Sequence, residues 1–307
     1  MASASSVRTP VAATAPPSGT VGRRPGPGVT TIIGRAAFWI TIAFFLLNVL
    51  VLILAVVVQS FSYHWYGSFL PSQWTISRTW GSLNQLLLGT SLFQVVINTL
   101  EVVLSVILLS LLLGVPAAYA LARRKFPGRG IVYLLFLFPV MLPPIAYVIP
   151  LVTVLDRLGP LSQTLGAVII ANLVPSVAFV VLVMVPFVEQ IDPNLEAAAR
   201  MLGARPLSVF RRVLVPLLIP GLLAAGVLVL VRTIAQFELT FFPAGPQNNT
   251  LVVAIFSAQQ GTHGASFSII ACVAVIYMLT TLVVLIPAFR FIDPTQLVTQ
   301  LKERPTT

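Results

Sequence analysis

The stretch Ile191–Pro220, IDPNLEAAARMLGARPLSVFRRVLVPLLIP, is a polar segment of real length between two long apolar runs. Asp192 is placed to cap a helix whose first residue is Pro193: a short side-chain oxygen accepts an orphan N–H, and proline tolerates the first helical position. Leu195, Ala198, Ala199 and Leu202 then recur at helical spacing, which predicts one apolar stripe facing away from Arg200. Gly203 stops the helix, because a residue without a Cβ accepts the left-handed conformation found just past a helix end. Pro206 opens a second helix through Arg211 and Arg212, after which the sequence is apolar again. The expected unit is a short amphipathic helix and an elbow held against a membrane helix, a shape that suits docking into another protein's groove.

Composition sets the solvent. Of 307 residues, 57% are hydrophobic and only 8% charged, and the mean hydropathy is +0.98. A soluble domain does not have this balance, so lipid is the expected surrounding. The net charge of +10 is spread between apolar runs rather than gathered in one patch, which argues for membrane topology and against nucleic acid. Cys272 is the single cysteine, and His64 and His263 are far apart, so neither a disulfide framework nor a metal site is expected. No GxxxxGK[ST] run is present, so any ATP and Mg are expected on another subunit, with no cofactor in this chain.

Residues 1–35 are rich in Ser, Ala, Thr, Pro and Gly and are expected to be a disordered tail. Six spans of bilayer length follow, near Ala37–Val58, Leu92–Ala118, Ile131–Leu151, Leu165–Val185, Val213–Val231 and Phe267–Phe289. The expected fold is therefore an all-α polytopic membrane protein. Its divisions are the tail, a first span with its outer loop over 36–91, a core over 92–291 carrying the polar loop 188–212, and a tail over 292–307. Basic residues populate the N-terminal tail, the turn Arg123-Arg124-Lys125…Arg129, the Arg200–Arg212 loop and the C-terminal tail. The loops between hold only Arg78 and Arg157, with Arg232 at a span edge. The positive-inside rule then puts both termini and the Glu196 loop in the cytoplasm. Pro139, Pro143, Pro144 and Pro150 interrupt the third span. Broken helices are tolerated where the freed backbone lines a wet cavity or is buried in protein, and prolines also kink helices simply to help them pack.

Glu196-Ala197-Ala198-Ala199, Gly203 and Val213-Leu214-Val215-Pro216 resemble the EAA loop of ABC importer permeases, the membrane subunits of binding-protein-dependent uptake systems. In that family the pattern is Glu-Ala-Ala, three residues, Gly, nine residues, Ile-x-Leu-Pro. Counting back from Gly203 puts Ala197 where the family's Glu usually stands, and Glu196 matches the first of the acidic pair that many members carry. Pro116-Ala117-Ala118-Tyr119-Ala120-Leu121-Ala122-Arg123 and Phe126-Pro127-Gly128-Arg129 resemble a run of the same family. The resemblance covers about Leu92 to Phe289.

Ionisable groups at membrane depth are functional candidates by default. Glu101 lies inside the second span, and Glu238 lies just beyond the fifth with Arg232 upstream. Asn98, Glu101, Gln236 and Glu238 are the candidates for lining a translocation pathway. The competing expectation is that Arg232 pairs with one of the two carboxylates, or that Glu101 sits hydrated at the interface; Asn98, Gln236 and Asn172 could each line a polar path or equally hydrogen-bond between helices. Tyr63, Trp65, Tyr66, Phe69 and Trp74 are expected to anchor at the membrane interface, with contact to a docked binding protein as the alternative. Asn248-Asn249-Thr250 matches a glycosylation pattern, although nothing points to a eukaryotic secretory context. Within the family, Phe237-Glu238-Leu239-Thr240-Phe241-Phe242 with Gly245-Pro246 and Thr250-Leu251 resembles polyamine-type permeases, while Ile149-Pro150-Leu151 through Leu158-Gly159 resembles sugar-type ones.

The resemblance implies a type I ABC importer permease in a bacterial inner or plasma membrane. It implies that Glu196, Ala197, Ala198, Ala199, Gly203, Ala204 and Pro216 belong to the ATPase-docking segment. The implied partners are ATPase subunits, a second homologous permease or a second copy of this chain, an extracytoplasmic solute-binding protein, and lipid. The favoured solute is a polyamine, opine or related organic cation, with a sugar as the alternative. An ion-driven secondary transporter would call for an inverted repeat and more intramembrane carboxylates. A membrane enzyme would call for a clustered nucleophile, metal ligands or paired carboxylates. The chain shows none of these patterns.

Overall fold

The computed structural model describes residues 29–62, 91–245, 248–260 and 267–290, with residues 65, 71, 73, 74, 76 and 80–83 between the first two stretches. Outside the described residues lie the tail to residue 28, Tyr63, Tyr66, Phe69, Arg78, both histidines, Pro246 and the C-terminal tail. Contacts divide the chain into two units, Met1–Leu52 and Ile53–Thr307. The described part of the first unit is one apolar helix, α1 (Val29–Phe61), which runs on into the second. It begins ahead of Ala37, so residues 29–35 are helical rather than part of a structureless tail.

The second unit continues with a 3₁₀ turn, Trp80–Ser82, and then α2 (Leu92–Arg123). Ser91 caps α2 by accepting the Gln94 N–H, and Pro116 lies inside the helix. The expected third span is two helices, α3 (Arg129–Met141) and α4 (Pro144–Arg157), bent by 99°. Of its four prolines, Pro139 and Pro150 are carried within helices, and the break falls at Leu142-Pro143 with Pro144 starting α4. That placement is where proline costs least, since its missing N–H is unpaired in a first turn anyway. α5 (Leu165–Gln190) follows, capped by Thr164. After the polar loop come α8 (Val215–Ala235), α9 (Glu238–Phe241), α10 (Leu251–Gln260) and α11 (Phe267–Arg290); the loop's own α6 and α7 are described below. Neither α9 nor α10 is expected from the sequence, because both are shorter than a span.

The described residues hold no β-sheet, and five helices are long and apolar enough to cross a membrane, or six if α3 and α4 count as one. α5 is the central strut, packed against α2, α3 and α8. Val102, Val106, Ala118 and Leu121 of α2 meet Val180, Val181, Met184 and Val188 of α5 and Leu218, Ala225 and Val229 of α8. The α2–α5 contact is close: a Cβ added at Gly114 would lie 2.6 Å from Val180 Cγ1. In a bilayer, where lipid tails are as apolar as leucine, helices associate through such close packing at small residues.

Candidate functional site

The polar loop folds as its punctuation dictates. α6 (Pro193–Met201) starts on the Asp192 carboxylate, which accepts the Asn194 N–H at 2.9 Å. It ends at Gly203, whose φ of +82° is the left-handed conformation. Ala204 N–H reaches back to Ala199 O at 3.1 Å and Gly203 N–H to Arg200 O at 2.9 Å, the paired bonds of a Schellman ending. A Cβ at Gly203 would meet nothing within 4 Å, so the glycine is required for its backbone angle and not for a neighbour in this chain. Pro206 opens α7 (Pro206–Val209), which passes through a π turn, Phe210–Leu214, directly into α8. The wide turn falls just before Pro216, which has no N–H to return to the Arg212 carbonyl. Arg211 and Arg212 lie in that turn, and sequence reasoning did not foresee it.

α6 leaves its larger apolar residues exposed. Its apolar stripe is not packed on the body: Leu195 is 47% exposed, Met201 84% and Leu202 89%, with Leu207 of α7 at 77%. The buried residue of α6 is the carboxylate, Glu196, at 6%. Glu196 Oε2 accepts the Tyr119 O–H at 2.7 Å, and Oε1 lies 2.9 Å from Arg123 Nε, an ion pair without hydrogen-bond alignment. Arg200, one turn on, approaches Oε2 at 3.8 Å. Arg123 also donates from Nη2 to Ile191 O at 2.6 Å, and the Tyr119 ring packs edge-on against Phe210. Ala197 and Ala198 are exposed and Ala199 and Ala204 half-buried, while Pro216 is exposed at the start of α8. A groove of about 490 Å³ runs beside α6, lined by Phe187, Gln190, Ile191, Asp192, Leu195, Leu217 and Pro220. Nearby, Arg129 at the start of α3 bonds Glu189 at the end of α5 at 2.7 Å, with both side chains exposed.

The pathway candidates fall into separate places. Asn98 is buried and engaged at both ends, accepting from Gln94 at 2.8 Å and donating to Asn249 O at 3.1 Å. Its neighbour Thr99 accepts the Leu251 N–H at 2.9 Å, so α2 holds the first turn of α10. Asn172, also buried, donates to Leu239 O at 3.1 Å and thereby fixes α9. Both asparagines thus hydrogen-bond between elements, the competing expectation. Glu101 is exposed on α2. Gln236 donates to Glu238 at 2.9 Å, and both are half-buried; the rings of Phe237, Phe241 and Phe256 pack on one another in the same region. The expected ion pair of Arg232 with Glu101 or Glu238 is absent among the described residues; its guanidinium sits 5.8 Å over the Phe179 ring. A flat, weakly hydrated guanidinium stacks on an aromatic face without needing a carboxylate.

The described residues form a bundle of apolar helices, five or six of them long enough to cross a membrane, with the charged α6–α7 hairpin between α5 and α8: the build of a polytopic membrane protein. Residues 110–295, more than half of the chain, match the family described as binding-protein-dependent transport system inner membrane component, and the chain belongs to that family. The trehalose transport system permease protein SugB of Mycobacterium tuberculosis is 33% identical over 165 residues, 54% of this chain and 58% of that protein. The molybdenum transport system permease protein ModB of the same species is 35% identical over 150 residues, 45% of this chain and 56% of that one. The chain therefore spans less than three fifths of the length of either relative. A chain in the crystal structure of a bacterial ABC transporter involved in the import of the acidic polysaccharide alginate superposes with a TM-score of 0.69 at 20% identity. The superposition covers 87% of this chain and 99% of that one, a likeness of fold.

Proposed function

We propose that the chain is the membrane permease subunit of an ATP-driven ABC importer, forming half of the route for a small polar solute. The observation that carries this reading is the α6–α7 hairpin, which leaves Leu195, Met201, Leu202 and Leu207 exposed although its ends are firmly capped. Apolar side chains displayed on a rigid, polar-rimmed hairpin are what a partner's groove takes up. The occupant proposed is an ATPase subunit, which supplies the ATP and Mg. Closure of the ATPases on ATP moves α6, and the spans α3 to α11 rock from inward-facing to outward-facing around the route. A second permease, homologous or identical, supplies the other half, and a binding protein delivers the solute from outside. Both termini and the hairpin lie in the cytoplasm, in keeping with the basic residues around it.

For the solute, the reading remains an organic cation of polyamine or opine type. Its support is the half-buried Glu238 carboxylate at the start of α9, in a segment that also carries the packed Phe237 and Phe241 rings, since carboxylates and aromatic faces both attract ammonium groups. Glu101, exposed at membrane depth, adds a second carboxylate.

The test is purification of the tagged chain from its native host in mild detergent, with identification of what accompanies it. An ATPase and a second permease are expected, and a co-isolated binding protein should retain putrescine or spermidine over trehalose in a thermal-shift screen. A chain that purifies alone and transports after reconstitution without ATP would overturn the proposal.

A further inference from the structure

Glu196 is the buried member of α6, and three side chains from two helices converge on it. Its Oε2 takes the Tyr119 O–H of α2, its Oε1 faces Arg123 of the same helix, and Arg200 closes the exposed side from one turn on. The Arg123 guanidinium holds Ile191 O as well, so a single side chain ties down both the entry to the loop and the middle of α6. Tyr119 in turn rests on Phe210, the first residue of the π turn that leads into α8.

Beyond this cluster, α6 packs mainly against α7 and the π turn of its own loop. It has nine residues, too few for a helix to persist by its own hydrogen bonds, and its large apolar side chains are mostly exposed. The charged cluster is therefore what sets its position against the body. α2, on the other side of the cluster, packs along α5 and α8 through most of the hydrophobic core. A displacement of α6 thus has a short and stiff route into the bundle: carboxylate to phenol and guanidinium, and from there to α2. Within α6 the surface left outward carries Leu195, Ala197, Ala198, Met201 and the cation Arg200, and no carboxylate.

We infer that Glu196 is a positioning residue: clamped by Tyr119 and Arg123, it delivers movement of α6 to the C-terminal end of α2, and it makes no contact with the protein that docks on α6. This rests on the hairpin being the docking element, as proposed above. The two alternatives for Glu196 separate cleanly, because Tyr119 and Arg123 lie on α2 and not on the outward surface of α6. A clamp predicts that disarming either end gives the same defect. A docking carboxylate predicts that only changes at position 196 matter.

The experiment uses the complex purified from the native host through the tagged chain. Hydrogen exchange of α2 residues 115–123 is followed with and without ATP, Mg and vanadate, beside the amount of ATPase that co-purifies. In the unaltered complex, nucleotide should change exchange in both α6 and the end of α2. Glu196→Gln and Tyr119→Phe should each reduce the α2 response by between about twofold and about thirtyfold, the range expected for a link in a coupling network. The double variant should be no worse than Glu196→Gln, and Glu196→Arg with Arg123→Glu should restore part of the response. Tyr119→Phe removes a single hydroxyl, so it reports even if the charge variants fail to assemble. A normal α2 response in Tyr119→Phe with a lost one in Glu196→Gln overturns the clamp, as does loss of ATPase co-purification in Glu196→Gln alone. An unaltered complex with no ATPase bound overturns the docking proposal instead.

Discussion

Two short helical segments are laid against the bundle, α6 in the loop after α5 and α9 after α8, and they are fastened by opposite chemistry. α6 is held by charge: Glu196, Arg123 and Arg200, with Arg129–Glu189 close by. α9 and the start of α10 are held by neutral groups: Asn172 on Leu239 O, Asn98 on Asn249 O, and the Thr99 hydroxyl under Leu251 N–H. Amide and hydroxyl side chains satisfy freed backbone groups without the cost of burying charge, whereas the buried Glu196 carboxylate is offset by the Tyr119 hydroxyl and by the Arg123 and Arg200 guanidinium groups. The two segments also differ in what they leave outward. α9 buries Leu239 and Thr240, whereas α6 buries its carboxylate and leaves its leucines out. One segment is covered by its own chain; the other leaves its large apolar side chains exposed.

Substitutions can break this contrast from either side. The largest effect is expected for Glu196→Ala, which leaves the Arg123 guanidinium, 15% exposed, without its counter-charge. Removing one member of a buried pair costs about 3 kcal/mol, and it should appear as faster hydrogen exchange across residues 193–201 with α5 unaffected. Asn98→Leu at the neutral site should cost about 1 kcal/mol, the usual scale for an interhelical hydrogen bond in a membrane protein. Its readout is a lower unfolding midpoint in mixed detergent together with faster exchange at the start of α10. Gly203→Ala forces a Cβ onto a φ of +82° and should also cost about 1 kcal/mol, at the end of α6 only. Gly203→Asp should lower transport while leaving membrane insertion intact, checked by uptake in correctly assembled complexes. The smallest effect belongs to Arg129→Ala: that pair is 36% and 48% exposed, and its loss should change the midpoint by less than about 0.5 kcal/mol, vanishing in high salt.

Local chemistry was the readable part of the chain. Asp192-Pro193, Gly203 and Pro206 each act on their immediate neighbours, and the helix starts and stop fall where those residues put them. The long apolar helices also follow the hydropathy: those of the second, fourth and sixth spans start where expected, and the C-terminal ends run on by a few residues. What the sequence concealed depends on distant partners. The spacing of Leu195, Ala198 and Leu202 announces a stripe but not whether the chain's own body covers it. Glu196 turns inward because of Tyr119 and Arg123, which lie on a different helix. The prolines of the third span announced a break but not its 99° angle. Arg232 found an aromatic face where a carboxylate was expected, and α10 is too short to register as a span.

The central claim, that the exposed face of α6 is where the ATPase docks, is tested most directly by a photo-crosslinking amino acid placed at Leu202 in the native host. The account predicts a covalent adduct with an ATPase subunit from position 202, and none from position 104 on the exposed side of α2. Adducts with lipid alone from position 202, or equal capture of the ATPase from position 104, would contradict it.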